Sequence, residues 1–184
     1  MGREQKAFLN RRLRDAVSTQ PELKRLKALL LRLGGDFLVA PPRQDQDVPM
    51  LLERGFLTAG AITLRVMQSS SCHQNVASIW NKKKFGIVGI ATGYALSGDG
   101  LWRQHSWGIV RDGVLETTET RLKYFGIVLQ GEKADFFAFS NSTTPENPIV
   151  RQLSLFLRFS RCPLLKILLD FLQGIALEIR GIGI

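Results

Sequence analysis

The sequence predicts an α+β protein in which an antiparallel meander of about four strands has helices on one side. Three observations lead to this prediction. Apolar residues recur at helical spacing before residue 35. Four apolar, β-rich runs follow between residues 85 and 129. The connections 97–100 and 111–113 between these runs are short and contain glycine, which supplies the backbone conformation that hairpin turns need.

The first 35 residues are predicted to form two basic helices. The apolar residues of the first helix are Phe8, Leu9, Leu13, Ala16 and Val17. Ser18–Pro21 supplies cap and first-turn residues for a second helix, which carries leucines at helical spacing. Gly34-Gly35 ends that helix. A short strand over 36–40, an irregular loop over 41–49 and a short helix through Met50, Leu51 and Leu52 are expected next.

A third main helix begins at Cys72 and continues to the lysine run at 82–84, because Val76, Ala77, Ile79 and Trp80 fit one helical face. Four strands are then predicted, over 85–96, 101–110, 114–118 and 124–129. Residues 131–140 are expected to form a helix that closes the unit.

These patterns divide the chain into four parts. The basic helices occupy residues 1–35, the α+β core 36–141, a linker rich in Asn, Ser, Thr and Pro 142–148, and an apolar helical extension 149–184. Charges interrupt the extension, so it lacks the ~20 nearly uncharged residues that span a bilayer. We interpret it as a core or interface helix, and a basic amphipathic helix on a membrane surface is the alternative.

The net charge of +9 is unevenly distributed. Residues 1–34 contribute +6, residues 151–184 contribute +3, and the segment between them is neutral. We therefore interpret the basic residues as solvated helix faces rather than a nucleic-acid surface. The two cysteines, Cys72 and Cys162, stand in unlike contexts, and no secretory leader precedes Arg3, which predicts a reduced, cytoplasmic setting.

Three residues offer chemistry within the neutral segment: Cys72 at a helix start, and His105 and Glu116 on neighbouring strands. A helix N-terminus and an adjacent imidazole each favour the thiolate, which is the reactive form of cysteine. A third group that orients the imidazole completes such a site. Glu119 is an alternative to Glu116 in that role.

The spacing also resembles that of the transglutaminase-like branch of the papain-like cysteine enzymes. In that family a Gly-Tyr strand, a His-Ala-Trp strand and an Asp-x-Thr strand follow the helix that bears the nucleophile. Here the matching residues are Gly93-Tyr94, His105-Ser106-Trp107 and Glu116 before Thr117-Thr118. The stretch from Cys72 to Gly108 is also similar to a set of small uncharacterised bacterial proteins, a similarity that names no reaction.

The resemblance implies a papain/transglutaminase-like core and a role for each residue. Cys72 would be the nucleophile, His105 the base and Glu116 the residue that orients the base. The reaction would be acyl transfer or amide hydrolysis on an amide, thioester or peptide substrate, without a cofactor or metal. The backbone N–H of Cys72 would be one oxyanion donor and Gln68 a candidate for the second. His73, Asn75 and Trp107 are expected to surround these groups.

Other interpretations remain open on the sequence alone. Cys72 could be an inert buried thiol, and the same cleft could bind a peptide or small ligand without turnover. A zinc site formed by Cys72, His73, His105 and Glu116 is disfavoured because adjacent Cys and His residues do not easily face one ion. The glycines at 86–93 lie within a predicted strand and lack a phosphate-binding ending, so they are expected to let another backbone approach.

Overall fold

The computed structural model describes residues 2–142. The predicted linker, apart from Ser142, and the predicted extension over 149–184 with Cys162 lie outside the described residues.

The two predicted N-terminal helices are present as α1 (Arg3–Thr19) and α2 (Glu22–Leu33). Their boundary differs from the expectation in one respect. The hydroxyls of Ser18 and Thr19 donate to carbonyls of Asp15 and Ala16 at 2.7 and 3.0 Å, so these residues close α1 instead of capping α2. At its far end α2 stops at Gly34, whose φ of +126° few other residues tolerate.

Three shorter helices follow: α3 (Val48–Arg54), α4 (Cys72–Asn81) and α5 (Glu132–Ser140). α4 and α5 lie where the sequence predicts helices, and Cys72 is the first residue of α4. α3 begins at Val48, inside the loop predicted over 41–49, because Pro49 stands in its first turn, where proline is tolerated.

The described residues contain one mixed sheet. Its strands are β1 (Phe37–Leu38), β2 (Phe56–Leu57), β3 (Ala61–Leu64), β4 (Gly89–Leu96), β5 (Leu101–Val110), β6 (Gly113–Glu116) and β7 (Lys123–Leu129). The order across the sheet is β2-β7-β4-β5-β6-β3, and β1 pairs with β5. The α+β class is therefore confirmed.

The predicted antiparallel four-strand meander is wrong in its last strand. β4, β5 and β6 are joined by tight turns as expected, but β7 returns to pair with β4 instead of β6. The outer edge of β6 is taken by β3 in parallel, and β1 is parallel to β5, so the sheet is mixed. Glycine permits the β4–β7 pairing, because a Cβ on Gly93 would meet the carbonyl of Phe125 and lie 2.6 Å from Cα of Gly126.

Two strands were not predicted, and one begins later than predicted. β2 has two residues and β3 has four, so both are too short for a periodic pattern to identify them, and every residue of both strands is exposed. The strand predicted from residue 85 begins at Gly89, because positive φ values at Lys83, Phe85 and Gly86 turn the chain after α4.

The helices pack on one face of the sheet. Cross-strand partners point to the same face, so Tyr94 and Gln104 share one face while Gly93 and His105 share the other. On the first face, Tyr94 belongs to a core cluster with residues of α2 and α3, and Ile90 belongs to one with residues of α4 and α5. The opposite face carries a cluster of strand residues, namely Ala91, Ala95, Trp107, Val114 and Tyr124.

Within residues 2–142 no helix has both the length and the apolar character needed to cross a bilayer.

Candidate active site

A gap in the sheet positions Cys72. β4 runs along one edge of β5, so β1 and β6 share the other edge, where they pair with residues 101–102 and 108–110. Between them the edge of β5 has no strand partner among the described residues. The backbone N–H of Ser106 in this gap donates to the Cys72 thiol. The first turn of α4 thus meets β5 edge-on, and Cys72 reaches the face of the sheet that carries His105.

The surroundings of Cys72 favour its thiolate. Burial alone raises the pKa of this half-buried thiol. The hydrogen bond to His105, the positive charge of that ring and the backbone N–H groups of Ser106 and His73 outweigh burial, so the pKa lies below its ordinary value. The thiolate is the nucleophilic form, and the geometry supplies three separate reasons for it.

His105 is held between the thiol and a buried carboxylate. Its Nε2 lies 2.8 Å from Oε2 of Glu116, and the two residues are 3% and 0% exposed. Burial lowers the pKa of His105, but hydrogen bonds to Cys72 and Glu116 and their negative charges raise it to about 9. Because Nε2 is engaged by Glu116, Nδ1 is the ring nitrogen left for the thiol.

The Glu116 carboxylate is fixed by donors on both oxygens. Oε1 accepts from the backbone N–H of Thr117 at 2.7 Å and from the N–H and hydroxyl of Thr118 at 2.8 and 2.9 Å. Oε2 accepts from His105 and, at 3.0 Å, from the hydroxyl of Tyr124. Burial raises the pKa of Glu116, but His105 and the Thr118 donors lower it to about 2, so the group is ionised at neutral pH.

Glu119, the alternative carboxylate, occupies a different position. It is exposed, and its Oε1 lies 2.8 Å from Nη1 of Arg121. Of the two glutamates, Glu116 is therefore the one that contacts His105.

Tyr124 is the site residue that the sequence analysis missed. Its hydroxyl donates to Glu116 and accepts from the backbone N–H of Arg121 at 3.2 Å. Its ring lies 6.4 Å from that of His105 and 5.1 Å from that of Trp107. The predicted meander, in which β7 follows β6, would itself bring the start of β7 near Glu116 at the end of β6, and this is the signal that could have pointed to Tyr124.

Two residues of α4 close to Cys72, His73 and Asn75, contact β5 and the segment that precedes the helix. His73 Nδ1 lies 2.7 Å from Oγ of Ser106, and burial lowers the pKa of His73, which favours the neutral ring. Buried Asn75 donates from Nδ2 to the backbone carbonyl of Gln68 at 2.7 Å and so holds the segment that leads into the helix.

Two further predicted residues have contrasting positions. Trp107 is fully buried and its ring lies 6.2 Å from that of His105 at an angle of 20°. Gln68 is exposed, and its carbonyl is bound by Asn75. Gln104 of β5, next to His105, is the glutamine among the described residues that line the cleft.

A cleft of about 760 Å³ opens over the thiol and the imidazole. Among the described residues, none that lines it has an apolar side chain. Its walls are Ser69, Ser70, Cys72, Ser97, Gly98, Asp99, Arg103, Gln104, His105, Thr118, Glu119 and Arg121.

Comparisons with protein-family models, with curated proteins and with solved structures found no match to this chain. Within residues 2–142 no group of three or more His, Cys, Asp or Glu side chains is arranged to hold a metal ion.

Proposed function

We propose that the protein catalyses cysteine-dependent acyl transfer or amide hydrolysis, with Cys72, His105 and Glu116 as its catalytic triad. The observation that carries this proposal is the hydrogen-bonded series from Glu116 through His105 to Cys72, buried at the carboxylate and open to a cleft at the thiol. A purely structural cysteine requires neither an imidazole at the thiol nor an ionised carboxylate behind that imidazole.

In the proposed reaction the Cys72 thiolate attacks the carbonyl carbon of an amide or thioester and forms a carbon–sulfur bond. The carbonyl electron pair moves onto oxygen, and the backbone N–H of Cys72 at the start of α4 is a donor for that oxyanion. As the intermediate collapses, the His105 imidazolium gives its proton to the leaving amine or thiol. Water or an amine then attacks the thioester carbonyl, and His105 takes the proton of the attacking group. The second intermediate collapses with cleavage of the carbon–sulfur bond, which releases the acid or amide product and restores the Cys72 thiolate beside the His105 imidazolium.

Glu116 keeps the ring of His105 in one orientation throughout. Because its carboxylate engages Nε2, the proton that shuttles is the one on Nδ1, next to the sulfur. Neighbouring Trp107 and Tyr124 limit rotation of the ring.

The pH profile of alkylation tests this proposal. Iodoacetamide should modify Cys72 in the native protein well below the ordinary thiol pKa of ~8.5, whereas Cys72 in the urea-unfolded chain should follow that value. Labelling is read by peptide mass spectrometry, which separates Cys72 from Cys162. His105→Ala should remove the low-pH reactivity.

Turnover is then tested with small thioesters. Wild type should accumulate an acyl group on Cys72 and release it to water or an added amine, whereas Cys72→Ser should not form the adduct. Alkylation profiles that coincide for the native and unfolded chain, or that are unchanged by His105→Ala, would reject the enzyme and leave the cleft as a binding site.

A further inference from the structure

The cleft beside Cys72 has a charge arrangement that the proposed chemistry does not use. Besides Cys72 and His105, the ionisable residues that line it within residues 2–142 are Asp99, Arg103, Glu119 and Arg121. Two of these residues are acidic and two are basic, so their formal charges cancel. The side chains differ in how far they are buried. The Arg121 side chain is 10% exposed while that of its partner Glu119 is 69% exposed.

The guanidinium of Arg121 is held in place from several directions. Nη1 donates to the hydroxyl of Ser97, a residue that is only 6% exposed, and to Oε1 of Glu119 at 2.8 Å. Its backbone N–H donates to Tyr124, which in turn donates to Glu116. Tyr124 thus connects the backbone of Arg121 to the carboxylate of the triad.

This arginine has donor capacity to spare. Its Nε is buried and has no acceptor within the described part of the chain. Arg103 differs, because it is 37% exposed and already bound by both oxygens of Asp99 at 2.6 and 2.9 Å. Thr58 Oγ1, Trp107 Nε1 and Thr117 Oγ1 are in the same state, and such buried groups in native proteins are explained by strain, by a functional role or by a bound water or ion.

The exposed partner of Arg121 can be replaced. An ion pair to a carboxylate that is mostly in solvent contributes little to stability, so another carboxylate competes with Glu119 at small cost. A planar guanidinium binds a carboxylate through two parallel hydrogen bonds, which lysine cannot do. Because no apolar side chain among the described residues lines the cleft, a fatty or aromatic acyl chain would gain little by burial against these walls.

We propose, resting on the function above, that the acyl donor is a polar molecule with a carboxylate group, and that Arg121 binds this carboxylate in the cleft. Arg121 sets specificity and takes no part in the proton transfers. Glu119 occupies the guanidinium in the absence of substrate.

Paired alkylating reagents test this assignment without knowledge of the natural substrate. The probes are N-iodoacetyl derivatives of glycine, β-alanine and γ-aminobutyrate, each compared with its carboxamide. In every case the Cys72 sulfur displaces iodide, so the pair differs only in the charge and hydrogen bonding of the far end. At one chain length the acid should modify Cys72 with saturable kinetics and faster than the amide.

Substitutions with opposite expected effects make the test specific. Arg121→Gln should lower the rate of the favoured acid at least about tenfold, which is the scale of a lost charge-assisted hydrogen bond, and leave the amide rate within about twofold. Glu119→Gln should raise the acid rate, because it removes the competing carboxylate. Arg65→Gln carries the same charge change outside the cleft and is the matched control.

The outcomes separate the two proposals. If Cys72 is not an activated nucleophile, acids and amides will both react slowly with the pH profile of an ordinary thiol. If only the carboxylate assignment fails, both reagents will react rapidly at low pH. In that case Arg121→Gln will change their rates equally, or Arg65→Gln will lower the acid rate as much as Arg121→Gln does. If Arg121→Gln loses structure generally, the amide rate will fall as well. Glu119→Gln then provides the test: a higher acid rate supports the carboxylate assignment, and an unchanged or lower acid rate contradicts it.

Discussion

The substitution Glu116→Gln should destabilise the protein and do so in a pH-dependent way. The side chain keeps its size but loses its charge, and its new NH₂ group faces donors. Each Glu116 oxygen now accepts at least two hydrogen bonds, from Thr118 and Thr117 on one side and from His105 and Tyr124 on the other. Whichever way the amide is oriented, its nitrogen meets groups that also donate.

The magnitude follows from the pKa of the carboxyl group. Despite burial, the His105 and Thr118 contacts lower the pKa of Glu116 from 4.5 to about 2. This corresponds to about 3 kcal/mol of stability at neutral pH, close to the cost of breaking a buried ion pair. Since the folded pKa lies below the unfolded one, the contribution is complete above about pH 5 and falls to about 1 kcal/mol at pH 3.

Urea denaturation of wild type and Glu116→Gln at pH 7 and pH 3 measures this difference. We expect the gap in free energy of unfolding to be about 3 kcal/mol at pH 7 and to shrink by more than half at pH 3. Glu119→Gln is the control, because it removes an exposed carboxylate and should cost less than about 1 kcal/mol at either pH. A gap that is absent at pH 7, or that stays constant with pH, would refute the argument.

Two further predictions concern Tyr124 and the β4–β7 pairing. Tyr124→Phe removes one donor from Glu116 and should lower the free energy of unfolding in urea by about 1–3 kcal/mol. Cys72 should still be alkylated below about pH 8.5, because its contact to His105 is unchanged. Loss of that reactivity would contradict this interpretation. Gly93→Ala should lower the free energy of unfolding by at least about 1–3 kcal/mol, because the new methyl group overlaps Gly126. Gly98→Ala is the control and should not, because no heavy atom lies within 4 Å of its new methyl group. Equal stability of the two variants would mean that β4 and β7 do not approach as described.

Much of the local structure could be predicted because its causes are local. Leucines three and four residues apart predict α2, and Leu23, Leu26 and Leu30 are indeed buried. Short glycine-containing turns force β4, β5 and β6 to be neighbours, so the sequence alone places His105 and Glu116 on adjacent strands. The polar residues around Cys72 at a helix start were likewise sufficient to single out that thiol.

Tertiary structure decided the partners that lie far apart in the chain. The connection from β6 to β7 is long enough to allow either neighbour, and the approach of Gly93 to Gly126 selects β4. In that arrangement the Tyr124 hydroxyl contacts Glu116 from a strand that is not paired with β6, and the gap between β1 and β6 brings the backbone N–H of Ser106 to Cys72. Sequence periodicity indicates which face of a helix or strand is apolar. Strand order and edge contacts depend on pairing between residues far apart in the chain, and a local sequence pattern does not predict the energies of those pairings.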